Sequence, residues 1–225
     1  TDTGHVQKLP DSYTLSGTEN GVGLFDLSQI VGKENIGSIT EVKGAAYDKK
    51  TGIARYSAAV ETPSYTYSTG SSAVSLTVEF ALDLSKLPKT PFEDVKAGAW
   101  YFDVVLEAFR DELMVGMSET EFSPGAPMTR AMLVAVLHRL AGSPSVSGTM
   151  PFTDVASGTW YYDAVLWASQ NGIVAGMSET TFAPQENITR EQIVAIFSRY
   201  TAKFSPDKTE AAAELTGFAD STSVS

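Results

Sequence analysis

The sequence predicts a two-part chain of the α+β multidomain class. An N-terminal all-β sandwich is followed by a C-terminal all-α array of tandem helix–loop–helix repeats. Three observations predict this. A run of strict period-two apolarity lies within residues 72–84. Residues 91–140 recur as 151–200 with 23 of 50 positions identical, far beyond chance for unrelated segments. Between the two textures sits Leu87-Pro88-Lys89-Thr90-Pro91, whose prolines block helix and central strand alike, so the boundary is placed at residue 90.

Within residues 1–90, Val74, Leu76, Val78, Phe80, Leu82 and Leu84 share one face of the 72–84 strand. Ala45, Ala46 and Tyr47 lead into Asp48-Lys49-Lys50-Thr51-Gly52, a hairpin turn signal, and Ile53 to Ser57 return from it. Residues 64–70 are a further strand and turn, and residues 20–31 a weaker strand with Val22, Leu24 and Phe25. Short strands punctuated at this spacing predict a small sandwich. It resembles the bacterial immunoglobulin-like modules of long surface proteins. Tyr47, Tyr56, Tyr65 and Tyr67 are read as cross-strand packing, with a sugar platform as the alternative. His5 is read as a solvated tail residue.

Each repeat predicts two helices. In the second repeat, Trp160, Ala164, Trp167 and Ala168 line one stripe of a helix over 159–171, and Gly172 stops it in the left-handed region. A second helix over 190–202 is capped by Thr189, with Gln192 completing a capping box; Ile193, Ile196, Phe197, Tyr200 and Phe204 form its apolar face. The first repeat departs twice. Glu112 replaces the stop glycine, predicting a different helix end. Met132 holds the capping-box position, predicting that Thr129 caps alone. A third copy begins at Gly217-Phe218-Ala219-Asp220 and stops before its helices.

Composition excludes several classes. With 43% apolar residues the chain can bury a core, which excludes general disorder. The formal charge is −11, from 27 acidic and 16 basic residues. Residues 1–90 hold 10 acids and 8 bases, so the acidity concentrates in the repeats. Such a surface repels phosphate backbones and anionic bilayers, so neither nucleic acid nor a membrane is an expected partner. The longest apolar run, Ala131 to Leu137, is far short of the roughly 20 residues of a membrane span. Thr1 to His5 carry no leader signature. Absence of cysteine excludes disulfides, thiolate metal sites and a cysteine nucleophile. No nucleophile elbow, phosphate loop, zinc-protease helix or calcium loop is present, so no catalytic residue, metal or cofactor is expected.

The repeated Phe-x-Asp-Val, Trp-Tyr, Gly…Phe-x-Pro and Thr-Arg segments resemble the S-layer homology domain. The resemblance divides the chain into repeat one at 91–142, repeat two at 151–204 and a truncated start at 215–225. It implies tandem units binding secondary cell-wall polymer of a Gram-positive-type envelope, often through a pyruvylated sugar, and hence an extracellular, wall-bound location. The family's Thr-Arg-Ala-Glu is here Thr129-Arg130-Ala131-Met132 and Thr189-Arg190-Glu191-Gln192; the arginine is kept and the final glutamate is not.

The candidate glycan-binding residues are Arg130, Arg190, Trp100, Trp160, Asp94 and Asp154. Each arginine falls at the first position of a helix, where the dipole opposes a cation by about 0.3–1 kcal/mol. An anion arriving there meets open N–H groups and a guanidinium together. An internal ion pair with Asp94, Asp154, Glu119 or Glu179 is the alternative. The tryptophans stack on sugar or fill the core, and the aspartates cap a turn or touch ligand. Trp167 is read as local packing, and His138 as a helix histidine without partners. The predicted function is a non-catalytic wall anchor with a β spacer and some self-association. The alternatives are a structural or adhesive module binding protein, and the anchoring fragment of a larger exported enzyme.

Overall fold

Alternating apolar residues build two four-stranded sheets in the N-terminal region of this computed structural model, which describes residues 5–57, 62–68 and 75–205. The strands are β1 (His5–Tyr13), β2 (Gly17–Glu19), β3 (Val22–Asp26), β4 (Ile39–Lys43), β5 (Ala45–Asp48), β6 (Ile53–Tyr56), β7 (Ser64–Ser68) and β8 (Ser75–Leu82). One sheet runs β1-β8-β7-β4 and the other β2-β3-β6-β5. All pairs are antiparallel except β1 with β8. Pro10 cannot donate to a ladder, and the β1 register shifts between Lys8 and Ser12 on this sheet edge. Phe25, Ala54 and Tyr56 from one sheet meet Ile39, Tyr65, Val78 and Phe80 from the other in a single buried cluster. Each fully buried large side chain there contributes roughly 1.5–3 kcal/mol.

The period-two strand stands: Val78 and Phe80 are buried and Leu76 and Leu82 half-buried, while its expected first residues, 72–74, lie outside the described residues. The hairpin at Asp48–Gly52 also stands. Asp48 accepts from Lys50 N and Thr51 Oγ1, both at 2.9 Å, and Gly52 takes φ 78°.

The expected fold class is corrected in both halves. The N-terminal region is not an all-β immunoglobulin-like sandwich. A helical turn α1 (Ser28–Val31) and a 3-10 segment (Lys33–Ser38) interrupt the strands, and a parallel pair closes one edge. Leu27 drives the interruption: it is fully buried, and the Asp26 carboxylate accepts from Ser28 N to start the turn. Nor are the repeats an all-α helix–loop–helix array. Their helices are α2 (Phe102–Arg110), α3 (Arg130–Leu140), α4 (Tyr162–Gln170) and α5 (Arg190–Phe204). Long ordered non-helical segments separate them, and one contributes a β-bridge between Thr129 and Asn187. Glycine, proline and polar residues in those segments cannot sustain a helix, and their N–H groups are met by backbone carbonyls, as Glu93 N by Thr120 O and Thr153 N by Thr180 O, together with the carboxylates of Asp94 and Asp154.

The chain falls into two compact units, Thr1–Pro124 and Gly125–Ser225, dividing inside the first repeat. In the first unit the β2–β3 turn at Asn20-Gly21, both at positive φ, sits on the start of α2. Asn20 N donates to Asp103 Oδ2 and Gly98 N donates to Asn20 O, each at 2.7 Å. A Cβ on Gly21 would lie 2.7 Å from the Phe102 ring, so only glycine fits. In the second unit the core gathers Leu133, Val134 and Leu137 of α3, Val165, Trp167 and Ala168 of α4, Phe152, Ile173, Phe182 and Ile196. The third-copy start at 215–225 lies outside the described residues.

Candidate functional site

The two repeats build the same loop with the same device. Asp94 accepts from Phe122 N at 2.9 Å and Ser123 N at 2.6 Å; Asp154 accepts from Phe182 N at 2.8 Å and Ala183 N at 2.7 Å. Those bonds hold Ser123 at φ 58° and Ala183 at φ 59°, left-handed backbone that a side chain disfavours by roughly 1–2 kcal/mol. Charge-assisted bonds of this kind are stronger than neutral ones and hold the backbone in place. The bonds from Phe122 and then Ser123 keep the Asp94 carboxyl below the usual aspartate range, against its desolvation. Asp94 and Asp154 therefore cap a turn, one of the two roles expected of them.

Arg130 lies in this same loop of the following repeat. It is 4% exposed. Its Nε donates to Phe182 O at 2.9 Å and its Nη2 to Ala175 O at 3.3 Å, and its guanidinium stands 4.8 Å above the Phe182 ring. Burial lowers its pKa, and the Asp154 charge acts the other way. The open N–H groups expected at the start of α3 are filled: Arg130 N donates to Glu186 O and Ala131 N to Pro184 O. Arg190, at the matching position, is exposed, and among the described residues its side chain has no hydrogen-bond or ion-pair partner. Neither arginine forms the ion pair that was the alternative to an anion site, among the described residues.

The core alternative for the tryptophans fails. Trp100 is 81% and Trp160 59% exposed. Each is braced edge-on by the next residue, Tyr101 at 5.5 Å and Tyr161 at 5.1 Å. Each indole is thus open to solvent beside a tyrosine ring that stands nearly perpendicular to it. The apolar stripe expected to bury Trp160 instead buries Tyr161, because the helix begins at Tyr162 rather than Thr159.

Several local expectations are revised. Glu112 takes φ 57° where Gly172 takes φ 68°, so the two first helices end alike despite the missing glycine. The Met132 sulfur accepts from Thr129 N at 3.5 Å, completing a capping box that was not expected. His138 has partners: its Nε2 meets Pro144 O at 2.9 Å and its ring lies 5.2 Å from Trp167. Trp167 packs locally as expected, 4% exposed and stacked on Phe204 at 5.7 Å. Tyr56 and Tyr65 are core residues; burial pushes the Tyr65 hydroxyl up to about 12. Tyr67 lines an open hollow of about 650 Å³ in the β region with Gln7, Leu9, Ile30, Val31 and Asn35.

Sequence reasoning missed the seat that receives Arg130. The signal was available: Gly-Met-Ser-Glu-Thr-x-Phe-x-Pro recurs as faithfully as Thr-Arg, and two equally repeated segments are candidates for each other. Among the described residues no cluster of His, Asp and Glu suits a metal, and no helix is long and apolar enough to cross a membrane.

The S-layer homology domain family matches residues 91–131 and 151–194. The chain is 39% identical over 115 residues to an endoglucanase of Bacillus sp. (strain KSM-635), covering 51% of this chain and 12% of that protein. It is 32% identical over 134 residues to an amylopullulanase of Thermoanaerobacterium thermosulfurigenes, covering 60% and 7%. It is 31% identical over 126 residues to the surface-layer 125 kDa protein of Lysinibacillus sphaericus, covering 53% and 10%. The chain thus spans about a tenth of the length of these relatives. The shared stretch recurs in enzymes and surface-layer proteins alike, as a non-catalytic anchoring module does. The matched family and these surface proteins indicate a location at the cell surface and wall.

Proposed function

We propose that residues 91–142 and 151–204 are a non-catalytic anchor that binds the secondary cell-wall polysaccharide of a Gram-positive-type envelope, with residues 1–90 as spacer. The carrying observation is the pair of exposed indoles at matched positions, Trp100 and Trp160, each braced by a tyrosine. An exposed apolar ring beside polar loops suits the face of a sugar, and two such rings on one chain suit a polymer. Arg130, Asp94 and Asp154 act behind these contacts by holding the loops. The enzymes among the relatives support a further part of the reading: this chain anchors a larger exported protein.

The test is retention on purified wall sacculi, before and after acid extraction of the wall polymer. Trp160→Ala and Trp100→Ala together are expected to weaken retention at least tenfold, about 1.4 kcal/mol, with the fold intact by circular dichroism. Full retention by that folded double variant, or full retention on extracted sacculi, overturns the proposal. A second reading has one observation behind it, the exposed guanidinium of Arg190. If an acidic ketal carboxylate is met there, pyruvylated wall disaccharide binds more tightly than its stripped form, and Arg190→Ala abolishes the difference.

A further inference from the structure

The strand register of the β region puts a polar residue on a core face. Gln7 of β1 pairs with Val78 of β8, and Val78 pairs with Tyr65 of β7, so these three side chains share one face of their sheet. That face carries the core: Val78 and Tyr65 belong to its buried cluster, and Leu9 and Tyr67 pack against it. Gln7 stands on the same face and is exposed. The hollow of about 650 Å³ opens over this corner. The sheet is its floor, and Ile30, Val31, Asn35 and Ser38 of α1 and the 3-10 segment are its other wall. That wall is tied in place. The Tyr47 hydroxyl donates to Ile36 O at 3.0 Å, and Asn35 Nδ2 donates to Val31 O at 2.8 Å and to Glu34 Oε1 at 3.3 Å. With its N–H groups committed there, the Asn35 amide offers its oxygen as acceptor.

We propose that this hollow binds a neutral saccharide of about one to two sugar units, with Tyr67 as the stacking platform and the amides of Gln7 and Asn35 as its hydrogen-bonding pair. Size favours it, since small-molecule sites run to about 300–1,000 Å³. Shape favours it as well. The Tyr65 and Tyr67 rings lie 6.1 Å apart and 32° from coplanar, a joint aromatic floor for the C–H face of a sugar ring. Charge decides the class of sugar. No lining side chain among the described residues is charged, on a chain of net charge −11. An acidic sugar meets no cation there. A wholly apolar ligand would strip water from both amides without replacing its hydrogen bonds. A neutral sugar meets both requirements, with hydroxyls for the amides and an apolar face for the rings. The spacer thus carries a ligand of its own, on residues other than Trp100, Trp160 and Arg190.

The test is a nuclear magnetic resonance titration of the full 15N-labelled chain with four neutral disaccharides: maltose, cellobiose, xylobiose and N,N′-diacetylchitobiose. It is run on the wild type and on the Trp100→Ala, Trp160→Ala double variant, which lacks the indoles of the wall-binding reading, so that failure of one reading is separate from failure of the other. At least one disaccharide is expected to shift the amides of Gln7, Asn35 and Tyr67 in both proteins, with a dissociation constant below about 10 mM. Tyr67→Ala is expected to weaken that binding at least tenfold and Gln7→Ala about threefold, with retention on wall sacculi unchanged in both. Gln7 is exposed, so Gln7→Ala decides the matter if Tyr67→Ala does not fold by circular dichroism. The proposal is overturned if none of the four sugars shifts those amides, if the shifts vanish in the double tryptophan variant, or if folded Tyr67→Ala and Gln7→Ala bind as the wild type does. Binding of the apolar dye Nile red in the hollow without binding of any of the sugars also overturns it.

Discussion

Helices α3 and α5 begin alike: a threonine caps each, a capping box follows, and an arginine occupies the first position. Their fates differ. Arg130 and Ala131 at the start of α3 are buried and their N–H groups donate to Glu186 O and Pro184 O, whereas Arg190 and Glu191 at the start of α5 are exposed. The difference lies outside the helices, in whether a Phe-x-Pro loop covers the helix start. A repeated motif here codes for half of a contact, and its burial depends on where the other half is. The same comparison explains the odd cost of a cation at a helix N-terminus. In α3 the guanidinium reaches past its own dipole to carbonyls and an aromatic face 52 residues on, and the loss at the dipole is offset there.

The strongest way to break the comparison is to remove both arginines separately. Arg130→Ala leaves buried carbonyls unpaired and opens a hole, and is expected to lower unfolding free energy by roughly 2–4 kcal/mol in urea melts. Arg190→Ala, measured on the dilute chain, is expected to cost less than about 0.5 kcal/mol, as exposed sites do. Equal losses would remove the distinction between the two helices.

The loops come next. Asp154→Ala is expected to cost about 1–3 kcal/mol, since it releases two N–H donors beside a strained residue. Asp94→Ala is expected to cost less, because Phe122 and Pro124 around it already meet water. The pH dependence follows from Asp94. Its pKa is depressed in the folded chain, so its contribution is present above the unfolded aspartate value, about 3.9, and is lost as pH falls through the folded value. Midpoints of the wild type should therefore fall more steeply than those of Asp94→Asn below about pH 4. Parallel curves would remove that aspartate from the account.

Smaller effects sharpen the helix ends. Glu112→Gly and Ala183→Gly each relieve a side chain from left-handed backbone, and each is expected to gain about 0.5–1 kcal/mol. Gly172→Ala is expected to lose a similar amount, showing the first helices of the two repeats to be interchangeable there. The smallest is Met132→Gln, which gives α3 the amide that α5 uses in its capping box and is expected to add a few tenths of a kcal/mol. Thermal melts resolve the glycine series; the last needs denaturant midpoints compared side by side.

Much of the repeat was legible because its signals are local. Thr129 and Thr189 cap where a threonine before an apolar run must, Gly172 stops α4, and α5 starts at Arg190 as its pattern requires. The misreadings share a cause. Trp160 falls on an apolar stripe only if the helix starts at Thr159; with the start at Tyr162 its direction changes and it faces solvent. Glu112 was read by propensity, but the turn it occupies is held by neighbouring bonds, such as Leu113 N to Ala108 O at 2.9 Å, that overrule the preference of one residue. Burial of Leu27 broke the all-β reading of the N-terminal region in the same way.

The existence of the repeat, the capped helix starts, the hairpin at Asp48–Gly52 and the period-two strand follow from the amino-acid sequence alone. Each rests on interactions within a few residues along the chain, where spacing stands in for distance. What Arg130 does, that Asp94 and Asp154 hold loops 28 residues away, and that Trp100 and Trp160 are exposed come from long-range packing. Those outcomes depend on whether a long-range partner covers a given atom. Two stretches of nearly identical sequence, one covered and one open, show that the covering is a property of the folded surroundings and not of the motif.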